Sequence, residues 1–477
     1  SICVDEGGNF NIGSNITIIP EERFTFSITD NDGRAALLID KKGKLISLEI
    51  LELQKKIMEL SYKMENQSVN IAPMSLIKTD YIHVFSYGQS LSRGTMCFNP
   101  INTQQPYDNV MFGGSTTSST PSGQLDRDYE NNDYSKFIPL IAQDNNKGEA
   151  ESPVCGFANG FVELQLQKGD NANQWKMVGT ACGEGGRSVS YLSKGMGGRY
   201  EDLLKQVNAA KNVANGLGQS YSVWAVAWTQ AEQDYADNTS RNVYKKTLIA
   251  LHDNLKTDIQ LITGQPFKPL MICYQVASHR YYEKLRNDLA LALLDASFER
   301  NDIMIACPMY QFEYSQDSLH LIAETSQQLG KYYARALDYV KTTGKKWQPL
   351  QVKNIIVQGR IIDIEFNKSG LVLDTTLVTK THNYGFDIWQ GDVLQNIIAS
   401  VTVIDKNRVR IVLNADLPVD SYLSYARGRN GDPYKSGRID GARGNLRDSN
   451  GDTDNYTDRQ GIKYMHNWCV AFENKLN

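Results

Sequence analysis

The chain has 477 residues, 41% hydrophobic and 22% charged, which is enough for two to four domains and a large core. A formal net charge of -4, with few Lys and Arg clusters, gives no electrostatic case for nucleic acid or an anionic membrane as partner. No apolar run approaches the roughly 18–20 residues of a spanning helix. The start carries no basic-then-apolar leader, and Ser1-Ile2-Cys3 opens without Met, as a trimmed fragment would.

Residues 1–45 read as a β-rich segment. Short strands are expected at 16–19, 24–28 and 36–39, with turn pairs Asp32-Gly33 and Lys42-Gly43 between them. Over 46–70 the pattern changes. Ile46, Ile50, Leu53, Ile57, Leu60 and Met64 recur at alternating spacings of four and three, the a/d seam of a short coiled coil. A thin strand-rich segment has little of its own chain to cover such a stripe, so a homo-oligomer is expected. The alternative is one amphipathic helix lying on its own domain. Ile at a with Leu at d leans towards two strands.

Residues 76–345 alternate strand and helix patterns. Strands are expected at 81–85, 177–181, 221–228, 270–275 and 303–307, and helices at 199–215, 239–262, 280–298 and 322–341. That alternation implies a three-layer α/β domain, a mostly parallel sheet covered on both faces. A polar insertion at 97–150 interrupts it, and loops of that length are functional or disordered. From 350 to 477 helical periodicity disappears. Segments 352–357, 360–366, 371–378, 397–404 and 408–413 alternate apolar and polar residues, which predicts a C-terminal antiparallel β-sandwich.

Seven scattered cysteines without C-x-x-C spacing read as free core thiols, as assembly in a reducing cytoplasm allows. The 25 tyrosines suit a surface that stacks on polar ligands such as sugars, or β-rich packing. Asp448, Asn450, Asp452 and Asp454 have calcium-loop spacing, but Arg459 stands where the closing Glu belongs, so a solvated acidic loop is expected.

Four polar blocks follow expected strands. Gly88-Gln89-Ser90 follows the first, Gly183-Glu184-Gly185-Gly186-Arg187-Ser188 the second, and Trp228-Thr229-Gln230-Ala231-Glu232-Gln233-Asp234 the third. Asp317-Ser318-Leu319-His320-Leu321 follows the last. All four therefore land on the carboxyl edge of one sheet, where ligands bind in such folds. A serine hydroxyl needs an adjacent base to act as a nucleophile, and a histidine base needs a carboxylate to hold its tautomer. Ser90, His320 and Asp317 supply these groups. Taken alone, Ser90 reads more readily as a helix cap than as a nucleophile, and Asp317–His320 can be read as a capped helix start with a surface histidine. His279, after the fourth strand, is the rival base and a candidate substrate contact. Arg187 is placed to meet a substrate acid or solvent. Glu232 and Asp234 brace the loop that carries Gln230.

These blocks resemble those of the SGNH (GDSL-like) hydrolases, in the branch of sialate- and xylan-type carbohydrate O-acetylesterases, over roughly residues 78–343. The branch reads G-Q-S, then a Gly-Gly pair, then W-x-Q-G-E-x-D, then D-x-x-H-L. This chain departs from it at Ala231, where the branch has Gly. The resemblance implies a flavodoxin-like α/β fold and a serine esterase. Ser90 would be nucleophile, His320 base and Asp317 orienter. The oxyanion donors would be the Ser90 N–H, a backbone N–H at Gly185 or Gly186, and the Gln230 side-chain amide. No cofactor or metal is implied.

The layout, a thin β segment, a short coiled coil, an esterase domain with an enlarged loop and a C-terminal β module, is similar to tailspike deacetylases of tailed bacteriophages. That resemblance implies a homotrimer in the virion, joined to the phage tail, its baseplate or another tailspike through the N-terminus. Its substrate would be O-acetylated O-antigen or capsule. The other readings are a non-catalytic carbohydrate-binding receptor fibre and a secreted bacterial glycan O-acetylesterase.

Overall fold

The computed structural model describes residues 79–113, 133–144, 148–170 and 174–476 and, before residue 79, only the backbone of six strands. The chain forms two compact units, 1–69 and 70–477. In the first, β1 (Ile2–Val4), β2 (Phe10–Ile12), β3 (Thr17–Ile18), β4 (Phe24–Thr29), β5 (Ala35–Asp40) and β6 (Leu45–Ser47) form one antiparallel meander. Ile46 therefore belongs to a strand, so the apolar seam cannot begin there. The rest of the seam, including Ile50, Leu53 and Ile57, lies outside the described residues.

The second unit is built on a seven-stranded sheet: β7 (Tyr81–Gly88), β8 (Val110–Phe112), β9 (Phe137–Pro139), β10 (Lys176–Ala181), β11 (Tyr221–Thr229), β12 (Leu270–Gln275) and β13 (Ile303–Pro308). Its spatial order is β13-β12-β11-β7-β10-β8-β9. Every pairing is parallel except β8 with β9 at the edge. The strands are buried along nearly their whole length, because helices cover both faces. Without the two short edge strands the order is 2-1-3-4-5, the flavodoxin-like arrangement. The chain leaves β7 for β10 on one side and then crosses to β11 on the other. Right-handed crossovers in opposite directions put their helices on opposite faces. The directions diverge at the carboxyl end of β7, the point where ligands bind in such sheets.

Helices Pro153–Gln167 and Ala323–Thr343 pack against each other, and helices Arg199–Gly216, Arg241–Thr263 and Asp288–Glu299 form the other layer. The first pair crosses at glycines. A Cβ on Gly156 would lie 2.2 Å from the Gln327 carbonyl oxygen, and one on Gly330 would lie 2.1 Å from that of Pro153. Glycine is unfavourable inside a helix, and here the close backbone approach requires it.

After residue 350 the strands are antiparallel, as their alternation predicts, but they divide among four small sheets rather than two. One contains β14 (Val352–Gln358), β15 (Ile361–Phe366), β20 (Arg408–Leu413) and β19 (Ile398–Asp405). A second contains β18 (Val393–Gln395), β17 (Phe386–Gln390), β21 (Ser421–Tyr425) and β25 (Phe472–Lys475). β16 (Val372–Leu373) pairs with β22 (Leu446–Arg447), and β23 (Asn455–Asp458) with β24 (Gly461–Tyr464). These strands are fastened to the seven-stranded sheet and the segments after it. The Gln275 amide, at the end of β12, bonds both the N–H and the C=O of Ala471, at 2.6 and 2.8 Å. The Tyr310 and Tyr332 hydroxyls donate to the carbonyls of Cys469 and His466.

The segment 448–454 departs from the expected solvated acidic loop. Asp448 is buried and accepts the backbone and side-chain N–H groups of Asn467, while Asp454 pairs with Arg335. Cys97, Cys155, Cys182, Cys273, Cys307 and Cys469 are free and buried.

Candidate active site

β7 ends in close parallel contact with β11. A Cβ on Gly88 would lie 2.0 Å from the Thr229 carbonyl oxygen, so only glycine fits. The chain then turns into a short 3₁₀ helix, Ser90–Arg93, with Gln89 in extended conformation before it and Gly94 left-handed after it. The Ser86 and Ser152 hydroxyls donate to the Ser92 carbonyl from beneath, and the Gln89 side-chain oxygen accepts the backbone N–H of Gln233. Ser90 is held just past the carboxyl end of β7 with 8% of its surface exposed.

After β13, the segment from Tyr314 to Leu321 closes as a tight loop. Tyr314 and Leu321 form an antiparallel bridge, the Ser315 N–H donates to the His320 carbonyl at 2.7 Å, and Ser318 takes a left-handed φ of 58°. The helix starts later, at Ala323. This loop, rather than a helix turn, brings Asp317 and His320 face to face. Asp317 Oδ2 lies 2.6 Å from His320 Nδ1, and His320 Nε2 lies 2.8 Å from Ser90 Oγ. Asp317 Oδ1 accepts the Leu319 and His320 backbone N–H groups and the Ser315 hydroxyl. Burial pushes the Asp317 carboxyl up, but its hydrogen bonds from His320, Ser315 and Leu319 outweigh burial and hold it well below the usual carboxylate range. An ionised carboxylate only accepts, so Nδ1 carries the proton. Nε2 then presents its lone pair to the Ser90 O–H, the arrangement a general base needs.

Among the described residues, no hydrogen bond takes up the backbone N–H of Ser90, Gly185 or Gly186. These are free donors on loops at the same sheet edge. Gln230 is different, and the expectation of a free amide there is corrected. It is fully buried, and its Nε2 donates to the Arg187 carbonyl at 3.0 Å and to Asp234 Oδ2 at 2.5 Å. Its Oε1 accepts the Tyr244 hydroxyl. Both amide hydrogens are spent, so Gln230 ties the Arg187 loop to the Gln230–Asp234 turn. Ala231, where the motif carries Gly, has φ 166°, outside the left-handed range that demands glycine. Asp234 also accepts the Val189 N–H and the Thr239 hydroxyl, and Glu232 accepts the Tyr274 hydroxyl. Burial raises the carboxyl pKa of both acids.

Arg187 is part-exposed but engaged. It pairs with Glu184, which also holds Arg199, and it stacks over the Tyr191 ring at 4.2 Å. A substrate acid would have to compete with Glu184. His279 is also corrected, both as rival base and as substrate contact. It is 1% exposed, its Nε2 donates to the Arg427 carbonyl at 2.7 Å, and its Nδ1 has no partner among the described residues.

Burial pushes the His279 pKa down to about 4. The unfolded chain takes up a proton there below about pH 6.5, and the folded chain does not until about pH 4. Unfolding therefore binds a proton in that window, and stability falls as pH drops through it. His279→Gln keeps a donor for Arg427 and removes the titration. From neutral pH to about pH 5, wild type should lose about 2 kcal/mol more stability than the variant in urea melts. Parallel pH dependence in the two proteins would refute this assignment.

Comparison with known proteins agrees with the geometry. The family model described as carbohydrate esterase, sialic acid-specific acetylesterase matches residues 88–339, more than half of the chain, from the glycine before the Ser90 turn to the helix after His320. A carbohydrate acetylesterase from Xanthomonas citri shares the fold, with TM-score 0.52, 13% identity, and coverage of 83% of this chain and 81% of that one. A carbohydrate acetylesterase from Sinorhizobium meliloti aligns over 54% of this chain and 96% of its own, at 14% identity and a TM-score of 0.28, too low to compare folds. The small ribosomal subunit protein uS15c of Populus trichocarpa is 33% identical over 81 residues, 16% of this chain and 89% of that protein. A stretch of that length cannot hold both Ser90 and His320, which lie 230 residues apart, so it does not bear on the site. The chain belongs to the sialic acid-specific acetylesterase family of carbohydrate esterases, and it is a carbohydrate O-acetylesterase.

Proposed function

We propose that this chain removes O-acetyl groups from a bacterial surface polysaccharide by serine-based acyl transfer, as the tailspike or tail fibre of a phage. The observation that carries the chemistry is the continuous hydrogen-bonded line from Asp317 through His320 to Ser90. Ser90 Oγ attacks the acetyl carbonyl carbon while His320 Nε2 takes its proton, and Asp317 stabilises the imidazolium. The carbonyl oxygen becomes an oxyanion held by the Ser90 N–H and the N–H groups of Gly185 and Gly186. The C–O bond to the sugar breaks, and the sugar oxygen leaves with the proton from His320. Water, deprotonated by His320, then releases acetate from acetyl-Ser90.

A polymeric substrate is favoured by the surroundings of the loop. Arg438 pairs with Glu313 and donates its backbone N–H to the Phe312 carbonyl, so the C-terminal segment lies against the loop that carries Asp317 and His320. The same segment, through Asp432 and Arg443, helps Lys380, His382 and Asn383 to line an open cavity of about 490 Å³, which gives a glycan chain a second place to dock.

The phage reading rests on layout: a separate N-terminal strand unit, the apolar seam after it, and antiparallel sheets after the esterase sheet. It makes the protein a homotrimer of the virion, acting at the host surface and attached through its N-terminus. The test is acetate release from purified O-antigens and capsules, together with light scattering on the intact chain and on Leu53→Glu/Ile57→Glu. Release from one or a few polymers by a trimer that the double change dissociates is the expected result. A monomer at micromolar concentration would overturn the assembly. Binding of a polymer without acetate release would make the chain a receptor fibre, and activity confined to plant or host glycans would make it a bacterial enzyme.

A further inference from the structure

Arg93 closes the nucleophile turn and is 1% exposed. Its guanidinium meets Glu149 in a bidentate pair, Nε to Oε1 at 2.6 Å and Nη2 to Oε2 at 2.8 Å, while Nη1 donates to the Gly183 carbonyl at 3.0 Å. Three segments meet at this one side chain. The first is the turn that carries Ser90. The second is the loop after β10, where the Glu184 N–H donates to the Gly88 carbonyl at 3.0 Å, one residue before Gly185 and Gly186. The third is the stem that closes the insertion. There Glu149 bridges Thr95, the Met96 N–H donates to Gly148, and the Ala150 N–H donates to Gly94.

A buried ion pair is a costly way to gain stability, since apolar residues of similar volume do as well or better. What it supplies is direction. The planar fork of arginine fixes a carboxylate on one edge and leaves a further N–H aimed elsewhere, which the ammonium of lysine cannot reproduce.

We propose that Arg93 and Glu149 are positioning residues for acyl transfer, holding the Gly185–Gly186 donors in register with Ser90. This rests on the reading of Ser90 as nucleophile. Neither residue is given a contact with substrate. They act through the Gly183 peptide and the nucleophile turn.

The experiment uses the full chain with 4-nitrophenyl acetate as substrate and phenylboronic acid as a probe whose tetrahedral adduct on serine places an oxygen where the oxyanion forms. Arg93→Lys keeps the charge opposite Glu149 and loses the fixed fork. Its kcat per folded enzyme should fall about 10–100-fold with KM within about twofold. Its boronate inhibition constant should rise by about the factor by which kcat/KM falls. A merely structural role would not move boronate affinity in step with turnover. Glu149→Asp, which shortens the carboxylate arm and keeps its charge, should show the same split and serves if Arg93→Lys does not fold. Wild-type kcat and boronate affinity in the folded variant would overturn the proposal. Ser90→Ala is assayed beside them. If it retains activity, the nucleophile reading has failed. If it is inactive while Arg93→Lys and Glu149→Asp are unchanged, only the positioning role has failed.

Discussion

Ser90→Ala should lower acetyl-ester hydrolysis by about 10⁴–10⁶-fold and leave the fold unchanged. The side chain is small, is buried and loses one hydrogen bond, to His320 Nε2. The Ser90 backbone N–H, Gly185 and Gly186 would remain, so a residual rate above that of water is expected from these donors. His320→Ala should give nearly the same loss, and the double variant should be no worse than either single one, because nucleophile and base act as a unit. Initial rates on 4-nitrophenyl acetate, with circular dichroism to verify folding, decide this. Turnover within tenfold of wild type in either variant would remove the acyl-transfer mechanism.

Asp317→Asn should cost about 10⁴-fold in kcat although it is nearly isosteric. The loop would persist, because the asparagine oxygen can still accept the Leu319 and His320 N–H groups that Asp317 Oδ1 accepts now. The loss comes from the other arm. Its NH₂ would face His320 Nδ1, where Oδ2 now accepts at 2.6 Å. Nδ1 would have to become an acceptor, and the proton would move to Nε2, which would then point a donor at Ser90 instead of a lone pair. Asp317→Ala should remove the Oδ1 bonds as well and so lower stability in addition to kcat, whereas Asp317→Asn should lower kcat with a urea midpoint close to wild type. Equal stability and full activity in Asp317→Asn would mean that the carboxylate does not set the tautomer.

Much of the sheet and the line from Asp317 to Ser90 is legible in the sequence. Parallel strands buried on both faces are near-continuous apolar runs, and β11, from Tyr221 to Thr229, shows this plainly. The blocks after those strands stand out because the chemistry restricts residue identity. The helix Pro153–Gln167 does not stand out. It is apolar on nearly every side and carries Gly156 and Gly160, so it has neither a clear 3.6 period nor high propensity. What Gln230 does depends on Arg187 and Tyr244, brought to it by the fold. The Asp234 spaced four residues on was the only local signal that its amide would be occupied. His279 is sealed by a carbonyl 148 residues later, and Arg93 finds Glu149 across the insertion, 56 residues away. Pairings of that range leave no periodicity to read.

The central claim, that Ser90 is the nucleophile, is tested most directly by labelling. Paraoxon phosphorylates activated serines. After inactivation, digestion and mass spectrometry, the diethylphosphoryl group should be found on the peptide that contains Ser90. Labelling should be lost in Ser90→Ala and strongly slowed in His320→Ala. A label on any other residue, or full esterase activity in enzyme left unlabelled by prolonged paraoxon treatment, would contradict the account.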